Sequence, residues 1–389
     1  MTAPRTTTLA IPSPAATRAG GELPARARAI FLLGPEEVEL REVKVPRPGP
    51  GEILVAIEAA TTCGTDLKVF GRGGHPRMLE VPGPFGHEMT GTIVAAGSRG
   101  PLSPAGSSPK PRAGGQGSAH LREGDAVVVA NSASCGTCPA CRAGRENLCP
   151  DLAYLNGAYA DYLLVPARFV ERSTYLRPAN LAPELAALSE PLACVEHGLV
   201  RLGLATAGAA ELRPRKILVQ GAGPLGLLFV AVLCELGHRV TAADPHALRL
   251  EVALKLGAEA GIHIERSWND EHSSIDREFE IAIDATGTVS GWTTALGATL
   301  PGGTTLFFGG CAPADRIELS TFPIHYDELS LLGSYHHTPR SFRSAIDRLA
   351  AARSDYRLLL SYDESLDGVE SALRAMMERR ALKVVIRPA

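Results

Sequence analysis

From about residue 27 to 170 apolar and polar positions alternate in short runs: ARAIFLL, EVELREV, EILVAIEAA, TGTIVAAG, DAVVVA and ADYLLVPA, punctuated by Gly, Pro and Asp. A period of two over runs of this length marks half-buried strands, so the stretch predicts an all-β, barrel-like region with long loops. Residues 99–120, RGPLSPAGSSPKPRAGGQGSAH with its leading Arg99, break the pattern with Pro, Gly and Ser and read as a flexible insertion between two strands. From about 215 to 335 the period changes. KILVQG reads as a strand, PLGLLFVAVLCELG as a helix, RVTAAD as a strand and HALRLEVALKLGA as a helix, with EIAIDATG and TTLFFGG as further buried strands. Strand–helix alternation predicts βαβ units and a parallel sheet. The tail, from SFRSAIDRLAAAR to KVVIRP, returns to helix, loop, helix and strand.

A chain of 389 residues exceeds one typical core, and the fold class expected is α/β with two domains. The patterns mark an extension at 1–26, a β-rich domain from 27 and an α/β domain that contains the alternation of about 215–335. The β-rich domain carries the 99–120 insertion and a cysteine-rich lobe at 131–150. The 39 basic and 42 acidic side chains nearly cancel, which gives no reason to expect nucleic acid or an anionic membrane as partner. No apolar run reaches the roughly 18 residues that a membrane span needs. Residues 1–26 are rich in Thr, Ala and Pro and hold no acid before Glu22. Their prolines spoil the amphipathic helix of a transit peptide, and they lack the apolar core of a secretory signal. A disordered extension and a cytoplasmic protein are therefore expected, with the eight cysteines as reduced thiols or metal ligands.

GAGPLG, residues 221–226, follows the strand ILVQ and opens a helix, which is the context in which G-x-G-x-x-G means a dinucleotide site. Gly221 permits the tight turn, Gly223 lets backbone approach a pyrophosphate, and Gly226 lets helix and strand pack closely. Pro224 and Leu225 begin the helix, whose N-terminal N–H groups face the phosphates. Asp244 ends the next strand, where it would accept from the ribose hydroxyls and repel a 2′-phosphate, so NAD is expected over NADP. Arg249, a turn further on, is the one residue that could soften this preference; it is expected to face solvent.

CGTCPACRAGRENLC places Cys135, Cys138, Cys141 and Cys149 close enough to close a tetrahedral shell around one Zn2+ with no open position. An iron–sulfur cluster is the rival, but the wide last gap and single copy favour a structural zinc. Further upstream, Cys63 lies in TTCGTDLKVF and the pair His87–Glu88 in PGPFGHEMTG; all three are residue types that zinc takes. SEPLACVEHG, residues 189–198, adds Glu190, Cys194, Glu196 and His197 on a predicted helix that Ser189 could cap, with Glu190 and Cys194 on one face.

Together CGTD at 63–66, GHE at 86–88, the four-cysteine lobe, EPLA at 190–193, GAGPLG and Asp244 resemble the zinc-dependent medium-chain alcohol and polyol dehydrogenases. That superfamily includes the sorbitol and threonine dehydrogenases. The resemblance runs from about residue 27 to the end, in the family's order, and departs from it in the extension and the insertion. It implies a GroES-like catalytic domain at 27–190, a Rossmann domain at 191–335 and a return to the catalytic domain at 336–389, with one catalytic and one structural zinc, a nicotinamide cofactor and a homo-oligomer, dimer or tetramer. It places Cys63 and His87 on catalytic zinc ligands and Glu88 on a glutamate that binds or closely approaches the metal. Glu190 falls on the ligand position where the polyol branch carries glutamate, so that of the 189–198 stretch it is the residue assigned to the catalytic zinc, completing Cys63 and His87. Thr65 falls on the hydroxyl residue that relays the alcohol proton.

The reaction so implied is hydride transfer between a secondary alcohol or polyol and the nicotinamide, with zinc keeping one exchangeable position for the substrate oxygen. Thiolate plus one glutamate roughly neutralises Zn2+, so Glu88 and Glu190 are expected to alternate or to reach the metal through water. A threonine-type amino-alcohol dehydrogenase is the alternative enzyme, and a non-catalytic nucleotide-binding relative is the third reading. The loop SYHHTPRSF, residues 334–342, carries His336, His337 and Arg340 as candidates for substrate contact or as plain surface groups.

Overall fold

The computed structural model describes residues 22–75, 77–98, 121–204, 213–264 and 275–388. Most of the expected extension at 1–26 and the whole insertion at 99–120 lie outside the described residues. The chain forms two compact units: one of residues up to Ala133, Ala153–Ala187 and from Tyr362, the other of Ser134–Leu152 and Leu188–Ser361. Among the described residues no helix is long and apolar enough to cross a membrane.

The first unit is built on antiparallel strands whose inward positions make one apolar core with Leu32, Val55, Ile57, Phe70, Phe85 and Ile386 at its centre. In its main sheet Ile53–Thr61 lies between Glu88–Ala96 and the C-terminal strand Lys383–Ile386. Register puts Glu88 opposite Thr61 on one side and Val385 opposite Thr61 on the other. Residues far apart in the chain thereby meet at one end of the central strand. There the chain enters a helix at Gly64–Arg72, an element that the alternating pattern did not predict.

The second unit carries six parallel strands in the order Ala260–His263, Arg239–Asp244, Lys216–Gln220, Phe279–Asp284, Thr299–Phe307 and Ser330–Gly333. This is a doubly wound sheet, and its order reverses between Lys216–Gln220 and Phe279–Asp284. Ligands of such sheets bind at the carboxyl ends of the strands where the order reverses. Gln220, Gly221 and Asp284 stand there.

The compact units divide the chain at other positions than the resemblance implies. Ser134–Leu152, expected within the β-rich domain, groups with the parallel-sheet unit. Asn147 is one reason, since its Nδ2 donates to the Tyr335 carbonyl at 2.8 Å. The return to the first unit begins at Tyr362 rather than 336. The helix Pro339–Ala351 stays behind because Arg348 and Ser344 bind Glu196 of the helix Ser189–Arg201, at 2.5 and 2.9 Å.

Candidate functional site

In the first unit Cys63, His87 and Glu88 bring one sulfur, one nitrogen and one oxygen within 4.8 Å of one another, all buried. Each is held by its local structure. Cys63 caps the helix Gly64–Arg72, its Sγ accepting from Thr65 N at 3.4 Å and its N–H donating to Asp66 Oδ2 at 3.0 Å. A helix N-terminus favours the thiolate. Burial pushes the other way, raising the thiol with help from the Glu88 carboxylate, while His87 opposes both. Thr65 thus sits beside the sulfur, half-buried.

His87 follows Gly86, whose φ of +89° and close approach to the Tyr159 ring, 2.7 Å from where a Cβ would stand, exclude a side chain there. His87 Nδ1 lies 2.8 Å from Asp66 Oδ1. Burial would lower the imidazole pKa, but Asp66 and Cys63 hold it well above its ordinary value. With Nδ1–H donating to Asp66, Nε2 is the nitrogen left for a metal. Tyr159 completes the arrangement by donating to Asp66 Oδ2 at 2.5 Å.

Glu88 begins its strand fully buried, and Lys383 Nζ reaches its two carboxylate oxygens at 2.9 and 2.7 Å. Thr61 Oγ1 donates to the same carboxylate, and Lys383 also donates to the Thr62 carbonyl at 2.6 Å. Burial would lower the Lys383 pKa, yet Glu88 and Cys63 hold it above the ordinary lysine value. The pocket therefore sets three groups of anionic type, Cys63, Asp66 and Glu88, against one fixed cation, Lys383. A dication balances the remainder, so the donor set and its charge both fit zinc.

The four-cysteine lobe fits a closed zinc site. The Sγ–Sγ separations include 3.4, 3.9 and 3.9 Å, and a tetrahedron with Zn–S bonds of about 2.3 Å has edges of about 3.8 Å. Backbone N–H groups already point at the sulfurs: Thr137 and Cys138 on Cys135, Cys141 on Cys138, and Cys135 on Cys149. Those bonds pull the Cys135 thiol down to about 5, whereas burial and Cys138 push Cys141 up to about 12.

At the glycine motif a Cβ on Gly226 would stand 1.8 Å from the Gly221 carbonyl oxygen, and one on Gly221 would stand 2.8 Å from Thr286 Cγ2. Both close approaches demand glycine. Gly223 differs, because the nearest atom to its Cβ position is Arg249 Nη1 at 4.0 Å. That open space in front of the helix Pro224–Glu235, which Pro224 and Leu225 begin, fits a pyrophosphate. Asp244 is buried, its Oδ2 accepting from Ala222 N and its Oδ1 from His246 N, both at 2.8 Å, so it also locks the glycine turn. Arg249 does not face solvent. Its side chain is 21% exposed and Nη1 lies 3.8 Å from Asp244 Oδ2, drawn there by the carboxylate.

Glu190 lies in the second unit, where its carboxylate and the rings of His336 and His337 bring their donor atoms within 4.8 Å of one another. Ser189 is not the cap of its helix. Leu188 occupies that position, and the Ser189 hydroxyl is buried in the first turn without a partner. Cys194 Sγ lies 3.8 Å from Glu190 Oε1, as the shared face predicted. Arg340 is exposed.

Asp66, Tyr159 and Lys383 escaped the reading of the sequence. Asp66 carried a signal, since a capping residue followed three positions later by an acid is a helix start. A lysine opening the apolar run KVVI was the only hint of Lys383.

Residues 49–174 match the family model of the alcohol dehydrogenase GroES-like domain, and residues 224–351 match that of the zinc-binding dehydrogenases. The chain is 35% identical to D-altritol 5-dehydrogenase of Agrobacterium fabrum, over 76% of this chain and 80% of that protein. It is 29% identical to sorbitol dehydrogenase of Bacillus subtilis, over 94% and 98% of the two chains. Its fold superimposes on a structure described as a zinc-binding dehydrogenase of Sinorhizobium meliloti, bound to NADP, with a TM-score of 0.78 and 27% identity over 94% of this chain and 100% of that one.

Proposed function

The chain belongs to the zinc-type medium-chain alcohol dehydrogenases, and on that footing we propose that it moves hydride between a polyol, or a similar secondary alcohol, and a nicotinamide cofactor. The convergence of Cys63, His87 and Glu88 carries this reading. The names of the relatives in Agrobacterium fabrum and Bacillus subtilis support a polyol substrate.

Zinc, when bound by those three residues, supplies Lewis acidity towards an alcohol or carbonyl oxygen, and the nicotinamide supplies the hydride acceptor. The chain's own residues do the rest. Asp66, itself held by Tyr159, binds His87 Nδ1 and so leaves Nε2 as the nitrogen that would take the metal. Lys383 offsets the Glu88 charge, which keeps the centre from becoming too negative to act as a Lewis acid. The Thr65 hydroxyl, two residues from Cys63, accepts the proton of the substrate alcohol while releasing its own towards solvent or a cofactor hydroxyl. The lobe at Cys135, Cys138, Cys141 and Cys149 would hold a second zinc through four thiolates, a set that serves structure rather than turnover.

NAD is the preferred cofactor, because the buried Asp244 carboxylate repels a 2′-phosphate. Arg249 weakens the preference by standing between that carboxylate and the space before Gly223.

The test is NADH formation with altritol, sorbitol, xylitol and threonine. Polyol oxidation is expected to exceed threonine oxidation, and Cys63→Ser is expected to abolish it. Unchanged turnover by Cys63→Ser would sink the zinc mechanism, and a threonine rate above every polyol rate would reassign the substrate. Arg249→Ala is expected to lower kcat/KM for NADP more than for NAD.

A further inference from the structure

Glu190 is the glutamate that the resemblance assigns to the catalytic zinc, and two imidazoles stand beside it. Its carboxylate and the rings of His336 and His337 bring their donor atoms within 4.8 Å of one another, all three in the second unit. His337 Nε2 is 3.9 Å from Glu190 Oε1. That gap is too wide for a direct hydrogen bond and suits one intervening oxygen, which at about 2.8 Å from each atom bonds to both.

Consecutive side chains of an extended chain point to opposite sides. Here they converge, because His336 has a φ of +57°, the left-handed conformation that a non-glycine residue adopts at a cost. The turn brings the two imidazole rings to 4.0 Å between centroids. Glycine takes this conformation freely, so a histidine is kept there at the expense of strain. Contacts on both sides hold the turn. Asn147 Nδ2 donates to the Tyr335 carbonyl at 2.8 Å, just before the pair. The capping box of Thr338 and Ser341 fixes the chain just after it, and Phe342 meets the His337 ring edge-on at 5.2 Å. The helix that carries Glu190 is bound to the helix that follows His337 by the Glu196–Arg348 ion pair at 2.5 Å. Carboxylate and rings are thus set in place by the fold itself, which spares a ligand the cost of ordering them.

Taking the proposed alcohol oxidation as given, we propose that His336 and His337 select substrates that carry a second hydroxyl on the carbon beside the one oxidised. With Glu190 on the zinc, the reacting oxygen goes to the metal, and an oxygen held against the rings is a neighbouring one. A hydroxyl donates once and accepts twice. One carboxylate to receive its proton and two imidazoles to donate to its oxygen match that count. An ammonium in the same place, as in an amino alcohol, has no lone pair for the imidazoles, and a carboxylate meets the like charge of Glu190. A bare methyl group leaves these polar groups without that partner, which is how a site built around a hydroxyl rejects the analogue lacking it.

Initial rates of oxidation of butane-2,3-diol, butan-2-ol and 3-aminobutan-2-ol test this in wild type, His336→Gly, His337→Ala and His337→Asn. Wild type is expected to prefer the diol to both analogues in kcat/KM. His336→Gly removes a ring while easing the backbone, so its thermal unfolding midpoint is expected at or above that of wild type. Its preference for the diol over butan-2-ol is expected to fall about tenfold, chiefly through a raised KM for the diol. His337→Asn, which can still donate and accept, is expected to keep more of the preference than His337→Ala. A preference unchanged in both His336→Gly and His337→Ala overturns the proposal. So does an equal fall with all three alcohols, because the rings would then serve the reaction and not the choice of substrate. Turnover by wild type without preference for the diol refutes the selection alone, whereas no turnover of any of the three refutes the proposed function on which the selection rests.

Discussion

Lys383 is a fully buried ammonium whose neighbours account for its charge: both Glu88 carboxylate oxygens and the Thr62 carbonyl. Breaking such a pair from one side strands the other ion in a low-dielectric site, a loss of about 3–5 kcal/mol. Lys383→Met is therefore expected to lower unfolding free energy by that order in urea titration of the metal-free protein. Adding Glu88→Gln should recover most of it, because no buried charge is then left alone. A double variant no more stable than the single one would show that Lys383 acts through packing of its stem instead. Asp66 works at the same scale by a different device. It receives three hydrogen bonds, from Cys63 N, Tyr159 Oη and His87 Nδ1, and so ties the helix cap to the imidazole. The spacing of Cys63 and Asp66 is local and readable from the chain. The pairing of Glu88 with Lys383 spans 295 positions and has no local signature.

Among elements, the cysteine lobe and the helix Ser189–Arg201 are joined through one side chain. Asn147 sits in the short turn Glu146–Leu148, and its Nδ2 faces both the Tyr335 carbonyl and His197 Nε2, the latter at 3.3 Å. A metal held by the four cysteines would fix that turn, and Asn147 would pass the constraint to the segment bearing His336 and His337. Asn147→Ala removes the donor from the part-buried bond to the Tyr335 carbonyl, which costs about 0.5–1.5 kcal/mol. The expected result is a lower unfolding midpoint, together with faster hydrogen exchange at residues 334–337, while metal in the lobe is retained. Unaltered exchange there would mean that the lobe and this segment are independent. The helix itself was predicted, but its cap was not. A serine followed closely by proline invites a capping role, yet the chain enters from the short helix Pro183–Ala186 already in helical conformation at Leu188, so Ser189 falls inside the first turn.

For the whole molecule, acid stability is set in part by histidines kept neutral. His238 is buried, and its Nδ1 accepts from Arg215 N at 3.3 Å, so burial and the Arg215 charge hold its pKa below the ordinary 6.5. The unfolded chain takes up a proton near pH 6.5 while the folded one does not, so stability falls as pH drops below that value. His238→Asn can keep an acceptor for Arg215 N and cannot titrate. Its unfolding free energy is expected to depend less on pH than wild type from about pH 6.5 downwards, and an unchanged slope would remove His238 from the account. The sequence by itself determined the main strands of the first unit and the strand–helix alternation of the second, because periodicity and glycine placement act over a few residues; the helix Gly64–Arg72 lay outside that reading. It also determined the donor types, since Cys63, His87, Glu88, the four cysteines, Gly221, Gly223, Gly226 and Asp244 stand in recognisable spacings. Only the tertiary structure decided partnership. It gave Glu88 a lysine, turned Arg249 onto Asp244, moved the cysteine lobe to the parallel-sheet unit and set Glu190 beside two histidines. Each of these depends on strand register and helix packing between distant segments, and those are fixed by the joint burial of the core rather than by any local run of residues.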